Sequence, residues 1–227
     1  MNLKEQAARF ALNYVRDGMV LGLGTGSTTA HFIDMLGERI RAGMLCDVVA
    51  VPTSESTASR ARAVGIRLSS LAEHAQLDLA VDGADEVDGH LNVIKGLGRA
   101  LLREKIVEIH AIRLVIAVDE SKVVERLGSH VPLPVEVVPF GVEAHVRWLA
   151  TLGCRPELRH EADGSIIVTD NGNYLVNCWF QAGIADPYAL ACALAERPGI
   201  AEHGLFLDMA TDVVVATPGG IRVLTRD

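Results

Sequence analysis

The feature that most constrains this chain is the regular return of short apolar runs, each closed by a polar or glycine-bearing turn and followed by helical spacing. Met19 to Leu23 ends in Gly24-Thr25-Gly26-Ser27-Thr28, and Val48 to Val51 ends in Pro52-Thr53-Ser54-Glu55. Leu77 to Val81 runs into Asp82-Gly83-Ala84-Asp85, and Leu114 to Val118 into Asp119-Glu120-Ser121-Lys122. Such runs do not alternate inward and outward, so they read as strands buried on both faces. Between them, Ala30, Ile33 and Leu36 recur at helical intervals, as do Leu101, Leu102, Ile106 and Ile109 in a helix expected over about 98–110. Ala7, Phe10, Ala11, Tyr14 and Val15 predict a first helix over about 3–17. Strand alternating with helix predicts an α/β fold with a Rossmann-like, doubly wound, mostly parallel sheet.

After about residue 128 the texture changes. Pro132-Leu133-Pro134 leads into an apolar strand up to Val138, Val142 to Leu149 reads as a helix, and Ser165–Val168 and Tyr174–Trp179 flank Asn171-Gly172 as a hairpin with a type I′ turn would. Asp186-Pro187 then supplies an N-cap and a first-turn proline for a helix through Ala195. This order predicts a second, smaller α+β domain of ferredoxin-like kind. The last strands, Val213–Ala216 and Ile221–Leu224, form a hairpin around Pro218-Gly219-Gly220 that returns to the first sheet. The expected division is therefore 1–128 with 204–227 for the Rossmann-like catalytic domain and 129–203 for the small domain.

Composition narrows the partners. The formal charge of −8 gives no basic footprint for nucleic acid or an anionic membrane, but an anionic small molecule fits where lysines or helix N-termini reverse the field locally. Cys46, Cys154, Cys178 and Cys192 form no CxxC pair and lack zinc-finger spacing, as expected of reduced thiols. The polar start MNLKEQAARF is no signal segment, and no apolar run nears the roughly 18 residues of a membrane span, so a cytoplasmic protein is expected.

Four segments could carry chemistry. Gly22-x-Gly24-x-Gly26-Ser27-Thr28 opens a helix with backbone N–H groups free to meet an anion. It lacks the third glycine of a dinucleotide fingerprint and the lysine of a Walker A loop, and it also reads as a plain capped turn. Asp82-Gly83-Ala84-Asp85-Glu86-Val87-Asp88 packs four carboxylates into seven residues, a density that demands cations, hydroxyls or other donors. The offsets of an EF-hand are absent, and a solvated acidic turn is the plain alternative. Lys95-Gly96-Leu97-Gly98 places a lysine at a glycine-bearing turn and leads to Glu104, while Lys122 closes the fourth segment. All four are expected at the carboxyl edge of one sheet. Eight scattered histidines lack metal-ligand spacing, so proton chemistry falls to Asp, Glu and Lys. The set suits a sugar phosphate.

Taken in order, the segments Gly24–Thr28, Asp82–Glu86, Ile94-Lys95-Gly96, Arg103-Glu104-Lys105, Val118–Lys122, Pro132–Glu136 and Thr169-Asp170-Asn171-Gly172-Asn173 resemble the type A ribose 5-phosphate isomerase family over nearly the whole chain. One position departs: the family reads Lys-Gly-Gly-Gly where this chain has Lys95-Gly96-Leu97-Gly98, followed by Arg99. The resemblance implies interconversion of ribose 5-phosphate and ribulose 5-phosphate through a cis-enediolate, in the non-oxidative branch of the pentose phosphate pathway, with no metal and no organic cofactor. It implies Glu104 as the base, a role worth about 10² to 10⁴ in rate. Lys95 and the N–H groups of Gly96, Leu97 and Gly98 become the oxyanion donors, each worth about 3–4 kcal/mol by analogy with known oxyanion holes. By the same resemblance Asp82 and Asp85, with Gly83 and Ala84, are expected to hold sugar hydroxyls, and Asp82 to relay a proton on ring opening. The resemblance further implies that Thr25, Gly26, Ser27, Thr28, Lys122 and Lys4 bind the phosphate. A homodimer or homotetramer is implied as well. Against this stand an amino-sugar-phosphate deaminase or CoA transferase, whose His base or glutamyl nucleophile motif is not found, and a non-catalytic sugar-phosphate-binding sensor of the same fold.

Overall fold

A computed structural model describes residues 2–226. They fall into two compact units, the first made of residues up to Ala84, Arg103–Lys122 and the stretch from Asp208, the second of Asp85–Leu102 and Val123–Leu207. The sequence-based boundaries differ from these units in 85–102, 123–128 and 204–207.

In the first unit the chain runs α1 (Leu3–Ala11), β1 (Val20–Leu23), α2 (Ser27–Arg41), β2 (Val49–Pro52), α3 (Glu55–Ala63), β3 (Arg67–Leu68) and β4 (Leu79–Asp82). It resumes within α4 (Leu101–Glu108) and continues through β7 (Leu114–Asp119), β13 (Asp212–Thr217) and β14 (Gly220–Thr225), the intervening strand numbers belonging to the second unit. One seven-stranded sheet results, in the order β14-β13-β7-β4-β1-β2-β3, parallel throughout except for edge strand β14. Strand order reverses between β1 and β4, the switch point outside which ligands of open α/β sheets bind. On one face Leu21, Leu23, Leu79, Val81, Val115, Ala117, Val214 and Ala216 pack with Ala7, Ala8, Ala11, Phe32, Ile33 and Leu36 of α1 and α2. Full burial of one Leu or Ile side chain is worth about 1.5–3 kcal/mol. The alanines of α1 let that helix lie close.

The opposite face receives α4. A Cβ at Gly22 would come within 3.0 Å of Val107 and 2.9 Å of Ala80, so the first glycine of the Gly-rich motif makes room for a helix and not for a ligand. Val107 packs there with Val51 and Leu77. The first helix is shorter than expected: α1 gives way to a 3-10 turn at Leu12–Tyr14 and Val15 is extended. Arg16 donates to the carbonyls of Asn13 and Val15 and so closes the end that the apolar spacing alone would have extended. Likewise α4 starts at Leu101, because Arg99 has φ +72° and cannot be helical.

In the second unit β5 (Glu86–Val87), β6 (Val93–Ile94) and β12 (Leu205–Phe206) form a small antiparallel sheet in the order β12-β6-β5. There follow β8 (Leu133–Val137), α5 (Val142–Ala150), β9 (Arg155–Leu158), β10 (Tyr174–Trp179), α6 (Pro187–Ala195) and β11 (Ile200–His203). Their antiparallel sheet has the order β11-β8-β10-β9. The strand–helix–strand–strand–helix–strand path is ferredoxin-like. The predicted hairpin needs correction: β10 pairs with Arg155–Leu158, and Ile166 and Val168 make only isolated bridges to His160 and Tyr174. The turn is not type I′ either. Only Gly172 has positive φ, at +77°, and Gly172 N–H donates to Thr169 O at 2.9 Å, a three-residue loop ending in a left-handed glycine. All four cysteines are free thiols.

Candidate active site

In the first unit, the loop after β1 delivers Gly24 to Thr28 to the start of α2. Gly26, at φ +137°, precedes a fifteen-residue helix that no side chain caps, and Gly26 and Ser27 are exposed. The first-turn N–H groups and the positive end of the helix dipole therefore face outward, the arrangement that binds phosphate. Lys4 of α1 donates from Nζ to Ser27 Oγ at 3.0 Å, so the structure brings this lone N-terminal lysine to the loop.

Thr25 holds the loop from beneath. Its Oγ1 lies 2.7 Å from Thr53 Oγ1, 2.8 Å from Ser54 Oγ and 3.1 Å from Thr57 Oγ1, while Thr57 Oγ1 donates to Gly24 O at 2.8 Å. The Thr25 hydroxyl is thus committed to protein, and its contribution to an anion falls to its backbone. Thr53, Ser54 and Thr57 are all buried. Sequence reading took Pro52–Glu55 only as a polar turn; the signal was Ser54, which also accepts Thr57 N–H at 3.0 Å as N-cap of α3.

Asp82 ends β4 and is 1% exposed. Its Oδ1 accepts from Thr29 Oγ1 at 2.9 Å and Gly83 N–H at 2.6 Å. A Cβ at Gly24 would collide with the Asp82 carboxylate, so the second glycine of the motif exists to admit that side chain. Asp82 and the Thr25–Thr28 loop thereby share the switch point between β1 and β4. Lys122 closes a 3-10 turn directly after β7, the neighbour of β4. Glu104, buried at 1% exposure, lies one turn before Val107 on α4 and so is displaced toward that helix's N-terminus. Arg103 beside it donates to Glu55 at 2.9 Å.

The other candidates belong to the second unit, and here the expectation of a single sheet edge fails. Lys95 follows β6 of the three-stranded antiparallel sheet, because the run before it is only two residues long and pairs with β5 and β12. Lys95 is 2% exposed, its N–H donates to Gly204 O at 2.9 Å, and its ammonium lies 5.5 Å from the Phe206 ring centre. Asp85 Oδ2 accepts the N–H of Leu97 at 3.0 Å, so the structure joins the acidic segment to the Lys95–Gly98 turn.

The remaining carboxylates of the acidic segment have structural duties. Glu86 accepts N–H bonds from Gly128, His130 and Val131, and Asp88 takes those of His90 and Asn92 at 2.9 Å each. Each acid thus has donors of its own, which answers the demand set by their density. Among the described residues no group of three or more His, Cys, Asp or Glu could hold a metal ion, and no helix is long and apolar enough to cross a membrane.

Fold and site together define a doubly wound α/β protein with an uncapped, glycine-led helix start beside buried carboxylates at the switch point of its sheet. The family described as ribose 5-phosphate isomerase A (phosphoriboisomerase A) matches residues 49–220. The ribose-5-phosphate isomerase A of Gloeobacter violaceus is 54% identical over 224 residues, 98% of this chain and 96% of the relative. That of Roseiflexus castenholzii is 53% identical over 218 residues, 96% and 93% of the two chains. Among solved structures, a D-ribose-5-phosphate isomerase in complex with phospho-erythronic acid superposes with a TM-score of 0.95 at 42% identity, covering 100% of both chains. The ribose 5-phosphate isomerase A of Methanocaldococcus jannaschii gives 0.93 at 39%, covering 99% of this chain and 98% of its own. The chain belongs to the ribose 5-phosphate isomerase A family.

Proposed function

We propose that this chain is an aldose–ketose isomerase that interconverts D-ribose 5-phosphate and D-ribulose 5-phosphate. What carries the reading is kinship over nearly its whole length with enzymes of that name. The complex with phospho-erythronic acid, in a relative, supports a phosphorylated sugar as the ligand class. That compound is a four-carbon acid, and its carboxylate mimics the charge that an enediolate spreads over two oxygens.

The chemistry assigns the residues. The phosphate docks on the N–H groups from Thr25 to Thr28, with Lys4 and Lys122 adding charge. Asp82 and Asp85, with the Gly83-Ala84 backbone between them, take the sugar hydroxyls, and Asp82 moves a proton when the ring opens. Glu104 removes the C2 proton of the open-chain aldose as its carbonyl oxygen becomes an oxyanion. Lys95 and the N–H groups of Gly96 and Gly98 stabilise that charge, whereas the Leu97 N–H, expected as a third donor, is taken by Asp85. The 2-hydroxyl proton passes to O1, Glu104 returns its proton to C1, and C2 is left as the ketone. One carboxylate thus serves both transfers, and protons balance without any co-reactant. The reading also takes the enzyme as cytoplasmic and as a homodimer or homotetramer, which analytical ultracentrifugation decides.

The test is conversion of ribose 5-phosphate by EDTA-treated protein alongside Glu104→Gln. Metal-independent turnover is expected, falling by about 10²- to 10⁴-fold in the variant with substrate binding kept. Retained turnover in Glu104→Gln removes Glu104 from the mechanism. Wild-type protein that binds the sugar phosphate without converting it establishes a sensor instead.

A further inference from the structure

The turn at Gly96–Arg99 departs from the glycine-only form of its family, yet it is held by a device that the sequence reading passed over. Arg159, half-buried in the stretch after β9, donates from Nη1 to Gly96 O at 3.4 Å and from Nη2 to Leu97 O at 3.1 Å. Its own backbone is pinned on both sides, N–H to Leu175 O at 2.9 Å and carbonyl to Ile167 N–H at 3.0 Å. Burial, followed by the neighbouring Arg99 charge, lowers the guanidinium below its ordinary pKa, while Asp85 and Glu161 raise it.

Peptide planarity turns these contacts into a statement about donors. In a trans peptide the carbonyl of one residue and the N–H of the next point in opposite directions. The Gly96–Leu97 peptide is therefore clamped at both ends, its carbonyl by Arg159 and its N–H by Asp85 Oδ2 at 3.0 Å. The Leu97–Gly98 peptide has its carbonyl drawn to the same guanidinium, which aims the Gly98 N–H to the opposite side. Gly96 O also accepts Arg99 N–H at 3.0 Å, closing the turn, and Arg99 grips both carboxylate oxygens of Glu161, two residues beyond Arg159. Leu97 has no positive φ, so this turn does not require glycine there. Its backbone is what the clamp uses.

We infer that Arg159 is a positioning residue for the isomerisation, fixing the Gly96–Gly98 turn so that the Gly98 N–H, opposite the Leu97 carbonyl it holds, meets the developing enediolate charge. This rests on the oxyanion role proposed above for the Lys95–Gly98 turn. Loss of one oxyanion-hole donor costs about 10²- to 10³-fold in kcat, and releasing a donor without deleting it forfeits part of that. Arg159→Met should therefore lower kcat about ten- to hundredfold while KM for ribose 5-phosphate stays within about threefold. Affinity for phospho-erythronate, the enediolate mimic, should fall by a factor similar to kcat. Arg159→Lys, which can reach a carbonyl without the fork, should recover part of both losses.

The experiment measures kcat, KM and phospho-erythronate inhibition for wild type, Arg159→Met, Arg159→Lys and Lys95→Met. Should Arg159→Met fail to fold, Arg159→Lys is read on the same split. A kcat loss at steady KM with a parallel loss of mimic affinity upholds the inference. If Lys95→Met loses kcat but the Arg159 variants keep theirs within about twofold, or lose it only together with KM, Arg159 plays no positioning part. If Lys95→Met also keeps its kcat, the oxyanion reading of the turn falls first and the inference with it.

Discussion

Gly24→Ala is the substitution whose cost can be worked most directly from the structure. The added methyl would occupy the place of the Asp82 carboxylate, and the backbone at Gly24 is not in the left-handed region, so any effect comes from the collision and not from φ. Asp82 is 1% exposed and accepts bonds from Thr29 Oγ1 and Gly83 N–H, each of the charge-assisted kind worth about 1.5–3 kcal/mol. Displacing the carboxylate forfeits one or both, and overpacking of a tight site by itself costs about 1–3 kcal/mol. We expect a loss of about 3 kcal/mol, read by urea denaturation of the intact chain, with kcat reduced by roughly 10² as Asp82 moves out of place. A double-mutant cycle isolates the cause. In an Asp82→Ala background the obstacle is gone, and Gly24→Ala should cost less than about 1 kcal/mol. Equal costs in the two backgrounds would show that Gly24 is needed for something other than admitting Asp82.

Lys4→Met should raise KM for ribose 5-phosphate about three- to tenfold at low salt and leave kcat unchanged, because Lys4 reaches the proposed phosphate site at Ser27 and no proposed proton-transfer group; since the contact is exposed, the difference should shrink between about 20 mM and about 200 mM salt, and a salt-independent effect would contradict an electrostatic role. Asp212 offers a pH test at the opposite end of the sheet, where Arg113 donates to both its oxygens at 2.7 Å, Thr211 Oγ1 at 2.8 Å, and the Arg113 guanidinium stacks 4.6 Å from the Tyr14 ring. Burial pushes the Asp212 carboxyl up, but the bonds from Arg113, Thr211 and Tyr14 together hold it below the usual range. A depressed folded value means stability that is present above the unfolded pKa of about 3.9 and lost as pH falls through the folded one. Asp212→Asn should accordingly cost about 1.5–3 kcal/mol at neutral pH, discounted from a fully buried pair because Arg113 is half exposed, and its stability should fall less steeply than wild type below about pH 4. Parallel curves would exclude the linkage.

The fold was legible where the sequence carries a period or a cap. Four apolar runs gave four of the parallel strands, and Asp186-Pro187 set the start of α6 because an N-cap and a first-turn proline act locally. Strands β5, β6 and β12 have two residues each, too short for any period, so the sheet that carries Lys95 left no trace in the sequence and its turn was assigned to the wrong sheet edge. Edge strand β9, Arg155–Leu158, is half polar and reads as a loop. At the site, glycines and carboxylates were visible by type, but their division of labour was not. Gly22 serves a helix and Gly24 a carboxylate, a distinction set by what lies across the sheet. Thr29, Thr53 and Thr57 support the Gly24–Thr28 loop and Asp82, yet a threonine near a helix start is commonplace, and only the strand order brings these hydroxyls to Gly24, Thr25 and Asp82. Arg159 marks the furthest reach of the same argument: it lies sixty-odd residues from the carbonyls it holds, with an intervening separation of 63 to Gly96 and 62 to Leu97. Local pattern names the groups that can do chemistry. The groups that aim them come from distant sequence, and they are recognised only by asking which donor satisfies each buried carbonyl and carboxylate.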